Sequence, residues 1–262
     1  MASCRTKPST MPDRRPLRRV ASLLLFLAVW QALALRFSEG IAVAAPSDAL
    51  RALLRLAHTG AFWSALTSSA AHVMGGLLLA LLVASPAAAL CFYSRTAEFL
   101  MAPFLAFMKS VPIAAVAILL LILFSSGGIA LAVVIVVAFP ILCTALLTGV
   151  RAADAKLVEM ARVFRWSGLK QWRWLFLPAA RPHLEGALRL SSGMAWKAGV
   201  AAEVIGVPPD SIGEALYRAK VFLATDELFA WAAVIMLLGA AAERLSLLAL
   251  SLFYRLLRMG DR

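Results

Sequence analysis

Apolar residues run along this chain in six long blocks separated by polar segments. The blocks fall at about 20–35, 66–90, 111–124, 129–150, 190–207 and 228–242, and the third has a possible earlier start near Pro103. They are near-continuous runs, not alternating or amphipathic patterns. Crossing hydrocarbon takes roughly 20 helical residues, so the first block is short for a span. In lipid every backbone N–H and C=O must be satisfied within its own segment, so the blocks predict α-helices and not strands. Pro86, Pro112 and Pro140 lie in or near blocks and predict kinks or helix ends. Gly75-Gly76 and Gly127-Gly128 predict either a close helix contact or a tight turn, unless they are ordinary membrane glycines.

Composition agrees. Of 262 residues, 62% are hydrophobic and 15% charged, with a mean hydropathy of +0.85. A soluble domain sits near one half apolar and one quarter charged. The net charge of +12 would suggest nucleic acid in a soluble protein; here its distribution matters more, and no nucleic acid partner is expected. Cys4, Cys91 and Cys143 are far apart, with neither metal-ligand spacing nor a disulfide framework. No long apolar region precedes Cys4, so lipidation is not expected there. His58, His72 and His183 are scattered, and no metal or cofactor is implied. No phosphate-binding GxxxxGK[ST] loop is present, so the chain does not hydrolyse ATP by that means.

Charge placement sets an orientation. With six spans and the N-terminus inside, Arg36, Arg51, Arg55, Arg218 and Lys220 fall outside and Lys197 falls within the fifth block. The other twenty of the 26 Lys and Arg residues fall inside. This fits the positive-inside rule and puts both termini in the cytoplasm. It divides the chain into a basic N-terminus, 1–19, and one membrane domain, 20–262. The first block also fits a cleaved signal peptide, with a basic start and Ala32-Leu33-Ala34 after the apolar core. Cleavage would leave five spans. Met11 is an alternative start.

Two of the polar segments are patterned. In the outer loop, Ser47 is a candidate cap for a helix with apolar Leu50, Leu53, Leu54 and Ala57; it either lies on the membrane or packs on the spans. The segment 151–189 is too polar to cross a bilayer. After Asp154, a fair N-cap, Leu157, Met160, Ala161 and Phe164 keep helical spacing. Ser167-Gly168 breaks the pattern, and Ser167 can cap a second short helix through Phe176, with Leu169, Trp172 and Phe176 on one face. Pro178 and Pro182 are expected to end it. Such a basic and aromatic pair of helices is either a docking site for a cytoplasmic partner or an interfacial hairpin.

The run Glu159-Met160-Ala161, then Arg165, then Leu177-Pro178, resembles the EAA loop of binding-protein-dependent importer permeases. Met160 replaces an alanine of that pattern and Arg165 its glycine, with Gly168 as a substitute helix breaker. Lys109-Ser110-Val111-Pro112, Phe139-Pro140-Ile141, Trp196-Lys197-Ala198-Gly199, Ala202 to Gly206 and Ile212-Gly213 resemble the nitrate, sulfonate and taurine branch. The resemblance implies an all-α polytopic membrane protein of about six transmembrane helices, with type I ABC importer permease architecture, in a bacterial inner membrane. It implies a non-catalytic role: the chain forms the solute path, and separate cytoplasmic ATPase subunits hydrolyse ATP. An extracytoplasmic binding protein delivers a small anionic or vitamin-precursor solute, and the permease pairs, most simply as a homodimer. Glu159, Met160, Ala161, Arg165, Trp166, Gly168, Leu177 and Pro178 become the ATPase-coupling residues.

Lys197 and Glu203 carry charge at membrane depth, which is costly and usually faces protein or water. Six residues apart, they do not pair directly on one helix. They line the translocation path together with Trp196, or they satisfy groups between spans. The segment 208–227 is a binding-protein dock or a solvated loop. An ATP-independent secondary transporter or channel is the alternative reading, but no internal repeat of spans is visible. A membrane-embedded enzyme lacks converging catalytic groups.

Overall fold

The computed structural model describes residues 15–36, 44–123 and 126–259. The basic segment before Arg15, with Cys4 and Met11, and part of the loop after Arg36 lie outside the described residues. Among those described the chain is helical throughout, without strands. The helices are α1 (Arg15–Arg36), α2 (Pro46–Ala57), α3 (Gly60–Tyr93), α4 (Arg95–Ser110), α5 (Ile113–Leu123), α6 (Ile129–Arg151), α7 (Ala155–Val163), α8 (Gly168–Gln171), α9 (Leu177–Gly206), α10 (Ile212–Val221) and α11 (Thr225–Met259).

By length and apolar content, three helical stretches can cross a membrane: Gly60–Tyr93, Ser126–Arg151 and Thr225–Leu257. A fourth is the pair α4 and α5, bent by 104°. The first and fifth blocks are also continuous helices, α1 and α9. In α9, Lys197 and Glu203 dilute the apolar content. At about 1.5 Å per residue its 30 residues are nonetheless long enough to span.

The centre of the molecule is α3, α6 and α9, packed through small residues. Lipid offers no hydrophobic reward for helix association, so close van der Waals approach must supply it. A Cβ added to Gly76 would lie 2.9 Å from the Leu131 carbonyl oxygen, and one at Gly199 would lie 2.7 Å from Val73 Cγ2. At Gly149 it would meet the Ala180 Cα at 2.7 Å. Val73, Ala80, Ala84, Val134, Ala138, Leu142 and Ala195 fill the seam. Large apolar side chains instead point outward, among them Leu78, Leu82 and Val83 of α3 and Met236 and Leu237 of α11. An apolar surface of that extent is what a bilayer covers.

Several elements differ from the sequence expectation. The third block is no single helix: Pro112 follows a break at Ser110, and α5 leaves at a sharp angle. Pro86 and Pro140, by contrast, lie inside helices that continue past them. Gly127 and Gly128 form a 3-10 turn before α6. Ser47 does not cap α2, which starts one residue earlier with Pro46 in its first turn; the Ser47 N–H instead donates to Gln31 Oε1 at 3.4 Å. Helix α2 packs on α11, where Arg55 pairs with Asp226 at 2.6 Å, while Leu50 and Leu54 stay exposed. Pro178 and Pro182 end nothing. Trp172–Phe176 form a π-helical turn between α8 and α9, so helical backbone runs unbroken from Gly168 to Gly206. Pro178 has no N–H, and its ring crowds the carbonyl four residues back; one wide turn, with the Leu177 N–H on the Trp172 carbonyl, absorbs both effects without breaking the rod.

The glycine packing is directly testable. Gly76→Ala must displace backbone of α6, whereas Gly127→Ala meets nothing within 4 Å. Gly76→Ala is expected to cost about 1–3 kcal/mol and to lower the thermal midpoint of the detergent-solubilised protein, while Gly127→Ala leaves it nearly unchanged.

Candidate functional site

One candidate site is the surface at the α7–α8 end of the bundle. Asp154 caps α7, accepting from the Lys156 N–H at 2.8 Å. The helix ends in a Schellman turn: the Arg165 N–H donates to the Arg162 carbonyl at 3.0 Å and the Trp166 N–H to the Ala161 carbonyl at 2.9 Å. That turn needs a left-handed residue at the position Arg165 fills, and its φ is +50°. Glycine takes this conformation freely, which explains physically the glycine of the loop pattern. The helix breaker is therefore Arg165 itself and not Gly168. Gly168 is the first residue of α8, has no positive φ, and follows Ser167, whose hydroxyl accepts from the Lys170 N–H at 3.4 Å.

The predicted coupling residues gather here. Glu159 and Met160 are exposed on α7, and Ala161 is buried beneath them. Leu157, Val163, Phe164 and Leu169 are exposed around them, Leu169 at 86%. Lys170 lies over the half-buried Trp166 ring, 4.7 Å from its centroid. Trp172 and Phe176 do not share an outward face with Leu169. They turn inward onto the end of α3, with Phe92 centred 5.1 Å from Phe176 and Trp172 Nε1 donating to the Tyr93 hydroxyl. The Leu177 carbonyl accepts from the Tyr254 hydroxyl at 2.8 Å, and Pro178 stands exposed beside it. Arg151 clamps this end by a bidentate pair with Glu98, both contacts at 2.7 Å.

The predicted path residues are not brought together. At about 100° per residue, Trp196 and Glu203 fall on one side of α9 and Lys197 on the other. Trp196 is buried, close to Gly239 of α11. Glu203 is completely buried: its Oε2 accepts from the Ser69 hydroxyl at 2.7 Å and from the Gly213 N–H at 3.1 Å. The Ile212 N–H donates to Ser69 Oγ at 2.9 Å, so Glu203 and Ser69 together cap the start of α10. A Cβ on Gly213 would collide with Glu203. Glu203 thus satisfies backbone groups between helices. Lys197 is exposed, one turn beyond Met194.

Met194 leads to a feature that sequence reasoning missed. A cavity of about 730 Å³ lies between the α4–α5 bend, α6 and α9. From α9 it is lined by His183, Gly186, Ala187, Leu190 and Met194, a helical stripe that Lys197 and Ala201 continue. The periodicity of that stripe was a readable signal. Lys109, which sequence reading placed in an inner loop, lines the same cavity because the bend carries it there.

The segment 76–258, more than half the chain, matches the family model described as binding-protein-dependent transport system inner membrane component. The chain is 28% identical over 231 residues to the taurine transport system permease protein TauC of Escherichia coli (strain K12), covering 86% of this chain and 84% of that one. A Bacillus subtilis (strain 168) protein carrying the name aliphatic sulfonates transport permease SsuC is 27% identical over 238 residues, covering 88% and 86%. Among solved structures, a chain titled as an amino acid ABC transporter with histidines superposes with a TM-score of 0.52 at 17% identity, covering 70% of this chain and 89% of that one. It shares the fold.

Arg165→Gly removes a left-handed L-residue, a conformation costing about 1–2 kcal/mol. It is expected to slow hydrogen exchange at the Trp166 amide about fivefold, read by exchange mass spectrometry. Glu203→Ala removes one acceptor at the start of α10 and leaves the Gly213 N–H unpaired. It is expected to cost about 1–3 kcal/mol, measured as a lower thermal midpoint, with Glu203→Gln losing less.

Proposed function

We propose a function from one premise: the chain belongs to the family of binding-protein-dependent transport system inner membrane components. It is a membrane subunit of an ABC importer. In this reading its α7–α8 end faces the cytoplasm, both termini lie on that side, and the host is a bacterial inner membrane. Separate ATPase subunits dock on α7. They do the hydrolysis, and this chain contributes no catalytic residue.

The observation that carries the coupling role is the α7 surface. Glu159 stands among exposed Leu157, Met160, Val163 and Phe164, an apolar patch with one acid. Such a patch on a polar loop is suited to a protein partner. Arg165 fixes the turn behind it, and Trp166, Gly168, Leu177 and Pro178 lie along the backbone that leads into α9. Closure of the ATPases would bias a two-state bundle from one side and the loaded binding protein from the other. At the opposite end, α10 and the start of α11 offer Asp210, Glu214, Asp226 and Glu227 as a dock for the binding protein.

The solute path follows the stripe of α9 that runs through Lys197. A cation there suits an anionic solute, and the names of the taurine and aliphatic sulfonate relatives favour a small organic anion over a vitamin precursor. Trp196 and Glu203 serve that path indirectly, by holding the back of α9 against its neighbours. One chain with a whole coupling loop pairs most simply with a second copy, closing the stripe into a conduit.

Glu159→Lys reverses the one acid of the docking patch without touching a buried group. It is expected to leave membrane insertion intact and to abolish transport-coupled ATPase activity in the purified complex. Normal coupling in that variant would refute the docking role.

A further inference from the structure

The cavity beside α9 has a charge that no carboxylate among the described residues neutralises. Its ionisable lining residues are Lys109 and His183, and no carboxylate lines it. Most of the remaining wall is apolar, including Val133, Val137, Pro140, Ile141 and Leu190. Other cations of the bundle have acids: Arg151 has Glu98 at 2.7 Å, Arg55 has Asp226 at 2.6 Å and Arg189 has Glu243 at 3.3 Å. Lys109 has a neutral partner, donating from Nζ to Thr144 Oγ1 at 3.0 Å. The Thr144 hydroxyl donates in turn to the Pro140 carbonyl at 2.6 Å, which fixes its lone pairs toward the lysine.

Thr144 lies seven residues before the end of α6, so the exposed Lys109, bonded to it, lies about 10 Å along α6 from that end. A charge at membrane depth without a counter-charge is costly unless it meets water or a ligand. Its ammonium has three donors, and one is committed to Thr144. The α4–α5 bend is what brings it here.

We infer that Lys109, held by Thr144, is an anion-contact and specificity-determining residue of the permease itself. It receives the charged head of a small organic anion whose apolar part lies along Val137, Ile141 and Leu190. This rests on the import reading above and adds a site to it: charge selection acts within the membrane subunit as well as in the binding protein. Lys197, on the same stripe toward the far end, provides a second cation along the route.

The test uses the whole complex in phosphatidylcholine nanodiscs, with Cys4, Cys91 and Cys143 replaced by alanine and Met194→Cys as the reporter. The probes are the anionic 2-sulfonatoethyl and the cationic 2-(trimethylammonium)ethyl methanethiosulfonates, and the readout is the ratio of their reaction rates. Lys109→Gln is expected to lower the anion-to-cation ratio at least about tenfold, the scale of electrostatic focusing in a cleft. Lys109→Arg is expected to keep the ratio and Lys109→Glu to invert it. An unchanged ratio in Lys109→Gln and Lys109→Glu overturns the proposal. So does an effect of Lys109 that disappears when phosphatidylglycerol is added, which would make the residue a lipid headgroup contact. Labelling needs no ATP, so failure of ATPase coupling, measured on the same sample, is a separate result that strikes only the import reading.

Discussion

Close packing of α3 against α6 and α9 is the constraint on which the other features depend. Gly76, Gly149 and Gly199 bring three backbones to distances that no side chain would permit. In a bilayer this contact has to be won by shape, because the lipid tails are as apolar as the helices. Once α9 is pressed into the seam its rotation is fixed. The side with Ala195, Gly199 and Glu203 goes to the protein, and the side with Leu190, Met194 and Lys197 is left open. The same rotation decides that Glu203 is buried and Lys197 exposed.

The apolar blocks gave the helices, their approximate places and the fold class, because continuous hydrophobicity is the strongest signal a chain of this kind carries. The caps at Asp154 and Ser167 were legible too, being local. What was not legible depends on neighbours. Glu203 read as an intramembrane charge in need of a purpose. Its purpose is supplied by Ser69, 134 residues earlier, and by the N–H groups that begin α10. Lys109 read as one more inside-positive residue until the 104° bend placed it on α6. Pro178 read as a helix terminator, because sequence shows the missing N–H but not the π turn that accommodates it.

Arg165 is a case where pattern and physics meet. By pattern it was a departure from a glycine, with the bend transferred to Gly168. The backbone places the bend at Arg165 after all, at φ +50°, so the turn geometry is retained despite the side chain. The two hydrogen bonds of the Schellman turn are what offset that strain. In this chain the turn geometry is kept although the residue in it is not glycine.

These features together suggest how motion would divide. From Gly168 to Gly206 the helical ladder is unbroken, tied to α3 through Trp172 and Phe176 and to α11 through Leu177. A rod so held moves as a body. Helix α7 is joined to it through the left-handed turn at Arg165, the short connection to Ser167 and the packing of Val158 on Phe176 and Ala180. A displacement applied to α7 would reach the rod through that turn and through the Val158 contact, and the rod runs on to the face that lines the cavity and to the Glu203 cap on α10. The π turn lies where the rod leaves the α7–α8 end. Its single extra residue offsets the register of α8 from that of α9, so the exposed α8 side chains and the cavity stripe face different directions on one continuous helix.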